Sequence, residues 1–385
     1  SCTATMLDIY KRQNTKSKEL LWGEPPTGYQ AVTACCLLAF AVIFTAFGCD
    51  KKDGTSNGGY QIAVKNDPAA QRVDFTVGGK PFTSYLYSDK ISVLKKTVLY
   101  PIITAGGNTI TRKYPLEPGA GERTDHPHQI GFWLNYGDVN GLDFWNNSDA
   151  IKSERANEMG TIRHAEIHTM ETGDGKGALK ISQNWLRPDD SIILQENTRF
   201  DFYAAENMRA IDRTTTLTAT DQDVLFKDNK EGMIAVRVTR ALEHPSGSPV
   251  TLTDASGKPT TIAVLNNDGV TGNYLSSEGV SGMDVWGKRA PWVALRGEIN
   301  SEKVTLALFD HPENVGYPTY WHARGYGLFA ANPLGQKIFS EGAEELNFSL
   351  KAGESVTFRH RLLIRSGDVS ADACEADYQE FTSQH

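Results

Sequence analysis

Two stretches of the sequence concentrate side chains that can move protons or grip oxygen atoms. Arg123-Thr124-Asp125-His126-Pro127-His128-Gln129 packs a cation, a carboxylate, two imidazoles and an amide into seven positions, and runs into Ile130-Gly131-Phe132-Trp133. In extended backbone, residues two apart share a face, which would let His126 and His128 converge. Converging imidazoles bind a metal or transfer protons. The alternative is a polar loop ahead of a strand, with each imidazole making one hydrogen bond. The second stretch is Phe309-Asp310-His311-Pro312-Glu313-Asn314 followed by Tyr317-Pro318-Thr319-Tyr320-Trp321-His322-Ala323-Arg324-Gly325-Tyr326-Gly327. It joins two imidazoles, two carboxylates, a guanidinium and three phenols, with prolines to fix the loop. Its alternative is a turn-rich aromatic corner.

The repeated Asp-His-Pro, at 125–127 and 310–312, suggests two arms of one pocket. Each Asp would orient its imidazole and raise its pKa towards general-acid work. Nearby arginines suit a carboxylate or an enolate-like oxyanion. On this reading His126, His128, His311 and His322 are the catalytic candidates. Arg123, Asp125, Gln129, Trp133, Asp310, Tyr320 and Arg324 are the substrate contacts. His126 and His128, with Asp310 or His311, also make a nitrogen and oxygen set suited to zinc, manganese or iron.

Weaker signals lie elsewhere. Tyr136 to Trp145 surrounds an Asn140-Gly141 turn with aromatics and carboxylates, which suits either core packing or a sugar ring. His164, Glu166 and His168 share a face on a strand, and the polar outer face of an edge strand explains them better than a ligand set. Glu231 and Glu278 each precede a glycine at a turn. The chain has no Gly-rich phosphate loop, no G-x-S-x-G elbow and no H-E-x-x-H helix. Nucleotide-driven chemistry, that type of serine hydrolase and a zincin are therefore not expected.

The elements that must hold these groups read as strands. Val73–Val77 and Pro81–Tyr87 flank Gly78-Gly79 as a hairpin. Thr97–Ala105 with Thr109–Tyr114, and Thr161–Thr169 with Leu179–Leu186, repeat the pattern. Ile192–Ala204 and Met208–Thr220 alternate apolar and polar residues, as half-buried strands do. Val304–Phe309 and Ser355–Ile364 complete the β-rich part, and Ala371–Phe381 reads as a C-terminal helix. The expectation is an all-β fold, one large antiparallel β-sandwich over residues 60–385. With Lys+Arg 39 against Asp+Glu 47, the net charge is −8 and no basic block stands out, which argues against a nucleic-acid partner.

Four of the five cysteines lie within the first 49 residues. The body therefore has no disulfide framework and no cysteine zinc site. Residues 31–48 form an apolar run that suits a signal-peptide core, and Ala46-Phe47-Gly48-Cys49 resembles a bacterial lipobox. The reading is lipidation at Cys49, a polar tether over 49–59, and a place in the bacterial cell envelope, in the periplasm or at the surface. An uncleaved signal anchor is the alternative. Residues 1–30 fit neither and read as a non-native leader.

Asp125-His126-Pro127-His128-Gln129-Ile130-Gly131-Phe132-Trp133, Gly137-Asp138-Val139-Asn140-Gly141, Trp286-Gly287-Lys288-Arg289-Ala290 and Tyr320-Trp321-His322-Ala323-Arg324-Gly325 occur in this order. Together they resemble an uncharacterised bacterial family that has carried the label methane oxygenase PmoA, over about Gln71 to Arg365. A methane monooxygenase subunit crosses the membrane several times and this chain has one apolar run, so the label does not describe the chemistry. The resemblance implies lipoproteins of carbohydrate-degrading bacteria and supplies no catalytic residues. By analogy the sandwich would be the supersandwich of galactose mutarotase-like proteins. The functional expectation is an envelope lipoprotein acting on a carbohydrate or oxidised sugar by histidine proton transfer, as an epimerase, lyase or hydrolase. A non-catalytic glycan-binding lipoprotein is the second class, and a structural envelope protein the third.

Overall fold

The computed structural model describes residues 58–260 and 266–384. Cys49 and the leader, signal and most of the tether fall outside them. Among the described residues the chain folds into two large antiparallel sheets and a small two-stranded one. The nine-stranded sheet begins at one edge with Tyr320–Ala323, Leu328–Asn332, Gly232–Arg237 and Phe132–Tyr136. It continues through Val98–Ile102, Lys80–Leu86, Arg72–Val77 and Gln61–Asp67 to the short Gly173–Asp174. The eight-stranded sheet runs Asn273–Ser276, Trp292–Ile299, Glu302–Asp310, Ser355–Ser366, Met208–Ala219, Ile192–Ala205, Lys176–Leu186 and Thr161–Glu171.

Period-two alternation explains how the sheets pack. Phe132, Leu134, Ile234, Val236, Phe329 and Ala331 from the first sheet share one core with Phe200, Phe202, Leu306, Leu308 and Leu362 from the second. Phe75 stacks on Phe202 across this interior, with ring centroids 3.9 Å apart. The outer face of the eight-stranded sheet is closed by the C-terminal helix Ala371–Ser383, whose N-cap Ser370 accepts a hydrogen bond from the Ala373 amide. Cys374, Tyr378 and Phe381 of that helix pack on Trp292, Phe309 and Leu363. The sandwich with a C-terminal helix is thus the architecture expected from the sequence.

The outer face of the nine-stranded sheet is also covered. Trp133, Ala235, Leu328 and Ala330 point outwards and form a separate cluster with Leu94, Tyr100, Ile130 and Trp145 from irregular segments. The strands beneath are therefore buried on both faces. One sequence expectation needs correction here. Thr109–Tyr114 is not the second arm of a hairpin, apart from an isolated bridge between Ile103 and Thr109. Its backbone turns to the end of the Gly232–Arg237 strand, where the Arg112 amide donates to the Arg237 carbonyl and the Thr239 amide to the Ile110 carbonyl.

Phe202 is fully buried between the sheets. Phe202→Ala is expected to cost about 3–5 kcal/mol in urea unfolding, the usual range for deleting a buried aromatic side chain.

Candidate functional site

The covered outer face places the chemistry. His322 pairs with Ala330, Ala330 with Ala235, and Ala235 with Trp133, so one row crosses four strands with large groups at its ends and methyls between. Trp145 sits against this row, 5.4 Å from Trp133 and 6.5 Å from His322 by ring centroids. The two alanines, both indoles and His322 are all fully buried in this layer.

Over this layer lies the 123–129 segment, pinned by two arginines. Arg112 is almost fully buried and donates to the carbonyls of Asp125, His126 and Gln129 at 2.7, 2.8 and 3.0 Å, and to Asp125 Oδ1 at 2.9 Å. Arg237, fully buried at the strand end, donates to Asp125 Oδ1 at 2.6 Å and to the Gln129 side-chain oxygen. Burial works against ionisation of Asp125, but the His126 contact and the two guanidiniums outweigh it and hold the carboxyl well below its usual range. Gly131 lets this loop enter its strand. It has φ +62°, and a Cβ there would meet the Leu99 carbonyl oxygen at 2.3 Å.

His126 occupies the left-handed region at φ +46° and is partly exposed. Its ring lies parallel to Tyr326 at 4.8 Å, and its Nδ1 is 3.4 Å from Asp125 Oδ2. His128 packs edge-on to His126, with centroids 5.7 Å apart. His322 lies 4.0 Å from Glu231 Oε2 through Nδ1. Burial, reinforced by neighbouring cations, pushes His128 down to about 2 and His322 down to about 3. This corrects the idea of imidazoles tuned upwards throughout the site: the two most deeply held are neutral at physiological pH, because desolvation exceeds any nearby carboxylate. Lys96 is buried too, donating to the His128 carbonyl at 2.5 Å over the Trp133 ring, and burial lowers it to about 7.

Several buried polar atoms here find no hydrogen-bond partner among the described residues. They include His126 Nδ1, His128 Nε2, His322 Nδ1, Trp145 Nε1, Trp286 Nε1 and the Nε atoms of Arg112, Arg237 and Arg324. Buried polar groups are nearly always paired, so such a concentration marks a place where something else supplies the partners.

The structure brings together Asp125, His126, His128, Gln129, Trp133, His322 and Arg324. It does not bring the second Asp-His-Pro to them. Asp310 accepts from Asn314 Nδ2 at 2.7 Å and from the Thr319 amide at 2.9 Å, and lies 3.4 Å from His360 Nε2. It ties the end of its strand to the following loop. The His311 ring packs on Phe381 of the C-terminal helix. The two segments are therefore not arms sharing partners, because the second belongs to the other sheet. Arg123 is committed to buried Glu243 at 2.6 Å, and Tyr320 is stacked on Phe339 beneath Arg289. Among the described residues no three His, Cys, Asp or Glu side chains converge to hold a metal, so the candidate set of His126 and His128 with Asp310 or His311 does not assemble. His164 bonds the buried Tyr85 from an edge strand whose pairing shifts register between His164 and Glu166, so the strand is an edge as expected but the three residues do not share one polar outer face. Sequence reasoning missed Lys96, Arg112, Trp145, Arg237, Trp286 and Tyr326 as site residues. A lone arginine ending the apolar run Met233-Ile234-Ala235-Val236 was the available signal for Arg237.

A model of a family described as a family of unknown function, DUF6807, matches residues 72–379. No curated protein matches the chain. Among solved structures it is similar to a GH36 α-galactosidase from Geobacillus stearothermophilus, at 11% identity and TM-score 0.37, covering 78% of this chain and 41% of that one. The chain thus spans about two fifths of the length of that enzyme. It is also similar to a galactose mutarotase-like protein from Clostridium acetobutylicum, at 10% identity and TM-score 0.34, covering 81% and 100%. A galactose mutarotase related enzyme from Lactobacillus acidophilus matches at 9% identity and TM-score 0.28, covering 80% and 98%.

The buried imidazoles set a pH dependence. Below about pH 6.5 the unfolded chain protonates its histidines, while His128 and His322 stay neutral in the fold until about 2 and 3. Stability is therefore complete above that pH and lost as pH falls, by up to about 1.4 kcal/mol per pH unit for each imidazole. Urea unfolding between pH 7.5 and 5 should show this slope in the wild type and a flatter one in H128Q/H322Q. Equal slopes would contradict the assignment.

Proposed function

The chain belongs to the DUF6807 family, and we propose that the outer face of its nine-stranded sheet is a carbohydrate site at which His126 transfers protons. The observation that carries this reading is the set of unpartnered polar atoms beside the buried indoles. Sugars present apolar C–H faces that stack on indoles and hydroxyls that take up stray donors and acceptors.

The residues divide the work by environment. Asp125, kept ionised between Arg112 and Arg237, lies 3.4 Å from His126 Nδ1 and is placed to orient its ring. His126 is the partly exposed imidazole at the rim and serves as acid or base towards a ring carbon or hydroxyl. His128 and His322, held neutral by burial, hydrogen-bond sugar oxygens without titrating. The reaction class is epimerase, lyase or hydrolase, proceeding without a nucleotide. The protein would work at the bacterial envelope, anchored through lipid on Cys49.

One observation favours a second reading, non-catalytic glycan binding. Burial holds His128 and His322 neutral at physiological pH, which suits recognition more than proton shuttling.

Incubation with a sugar panel in D2O, followed by proton NMR, separates the two. Catalysis should appear as new product or deuterium at a ring carbon, falling about 10²–10⁴-fold in His126→Ala with the fold intact by circular dichroism. Binding without turnover in the wild type selects the second reading. Neither binding nor turnover overturns both.

A further inference from the structure

Arg324 stands out among the arginines around this site. Arg112 and Arg237 grip Asp125, Arg123 and Arg240 share Glu243, and Arg289 pairs with Glu344. The Arg324 backbone is equally fixed, donating to the Leu328 carbonyl at 2.7 Å and accepting from Tyr274 Oη at 3.1 Å. Its guanidinium, by contrast, forms no ion pair or hydrogen bond with the described residues. It lies over the Trp286 indole, 4.9 Å from the ring centroid, with Nε buried and unpartnered. It is close enough to bear on the protonation of both His322 and Tyr326. Glu231, the carboxylate beside His322, is engaged by Lys230 at 3.2 Å.

Arg324 is half-buried, and its buried Nε without an acceptor is costly, although in a chain of net charge −8 carboxylates were available to meet it. Stacking on an indole fixes the plane of the fork and leaves its edge open. A rigid planar fork matches a carboxylate in the two-bond manner, and a single guanidinium balances the one charge that a carboxylate carries. We propose that Arg324 is the carboxylate receptor of this site and that the preferred ligand is an acidic sugar, such as a hexuronate. The carboxylate would be held at the half-buried Arg324, beside the partly exposed Tyr326. The identity of the ligand as a sugar rests on the function proposed above, while the anion-binding role of Arg324 does not.

The test is calorimetric titration of the whole protein with matched pairs, glucuronate against glucose and galacturonate against galactose, together with glucose 6-sulfate and phenylacetate. At least one uronate should bind about ten-fold tighter than its neutral partner. Arg324→Met should abolish that preference, bringing the uronate to the affinity of its neutral partner, and Arg324→Lys should restore only part of it. Neutral sugars binding as well as uronates, the sulfate ester binding best, or a preference that survives in Arg324→Met would each overturn the proposal and leave the carbohydrate reading standing. Phenylacetate binding that depends on Arg324, with no sugar bound, would uphold the anion role and overturn the carbohydrate reading. No binding of any probe overturns both.

Discussion

Two buried guanidiniums closing on one carboxylate organise the region on which the functional reading depends. Arg112 comes from a segment outside the sheet and Arg237 from the end of a central strand, and Asp125 is the only acid that pairs with either in the described residues. Guanidiniums this deep are costly unless their donors are met, and here the terminal nitrogens find acceptors while the Nε of each has none among the described residues. Arg112 therefore also takes the backbone carbonyls of Asp125, His126 and Gln129. The same contacts that satisfy the cations hold His126 in its left-handed conformation and keep the loop over the sheet. Breaking the pair would strand buried charge and release the loop together, so fold and site are coupled through one salt bridge.

The rest of the region follows from covering a sheet on both faces. An eight-stranded sheet closed by a helix is a simple solution, with apolar residues meeting an apolar helix face. The nine-stranded sheet is covered instead by irregular segments, whose backbone polar groups cannot be satisfied by a ladder. Side chains such as Asn135, Arg112 and Lys96 take over that task, bonding the carbonyls of Phe144, of the 123–129 loop and of His128. Polar groups are thus carried into a buried layer, and a few of them are left without partners beside the indoles.

This architecture also explains what could be read from the sequence. Ile192–Ala205 and Met208–Ala219 show period-two alternation or turn-bounded hairpins, and their expected limits lie within a residue of the observed ones. Helix Ala371–Ser383 was legible for the same reason, with one face buried and one wet. Phe132–Tyr136, Gly232–Arg237, Tyr320–Ala323 and Leu328–Asn332 are buried on both sides and lack that alternation, so they gave no strand signal. Half of the site was legible as a result: His126, His128 and Gln129 announce themselves by density of function, and His322 and Arg324 by theirs. Arg112, Arg237 and Lys96 are single polar residues in unremarkable surroundings, and only the pairing of strands distant in sequence reveals their role. The second Asp-His-Pro misled because local composition cannot say which sheet a loop serves.

The central claim is that the outer face of the nine-stranded sheet receives a ligand. Indole resonances of ¹⁵N-labelled protein, assigned by single Trp→Phe substitutions and titrated with a mixture of acidic and neutral sugars, test it most directly. Trp145 and Trp286 have no indole partner among the described residues, whereas Trp185 and Trp292 donate to Glu196 and Glu375. Ligand binding at this face should move the Trp145 and Trp286 signals and leave those of Trp185 and Trp292 in place. Movement confined to Trp185 or Trp292, or no movement of any indole at saturating sugar, would contradict it.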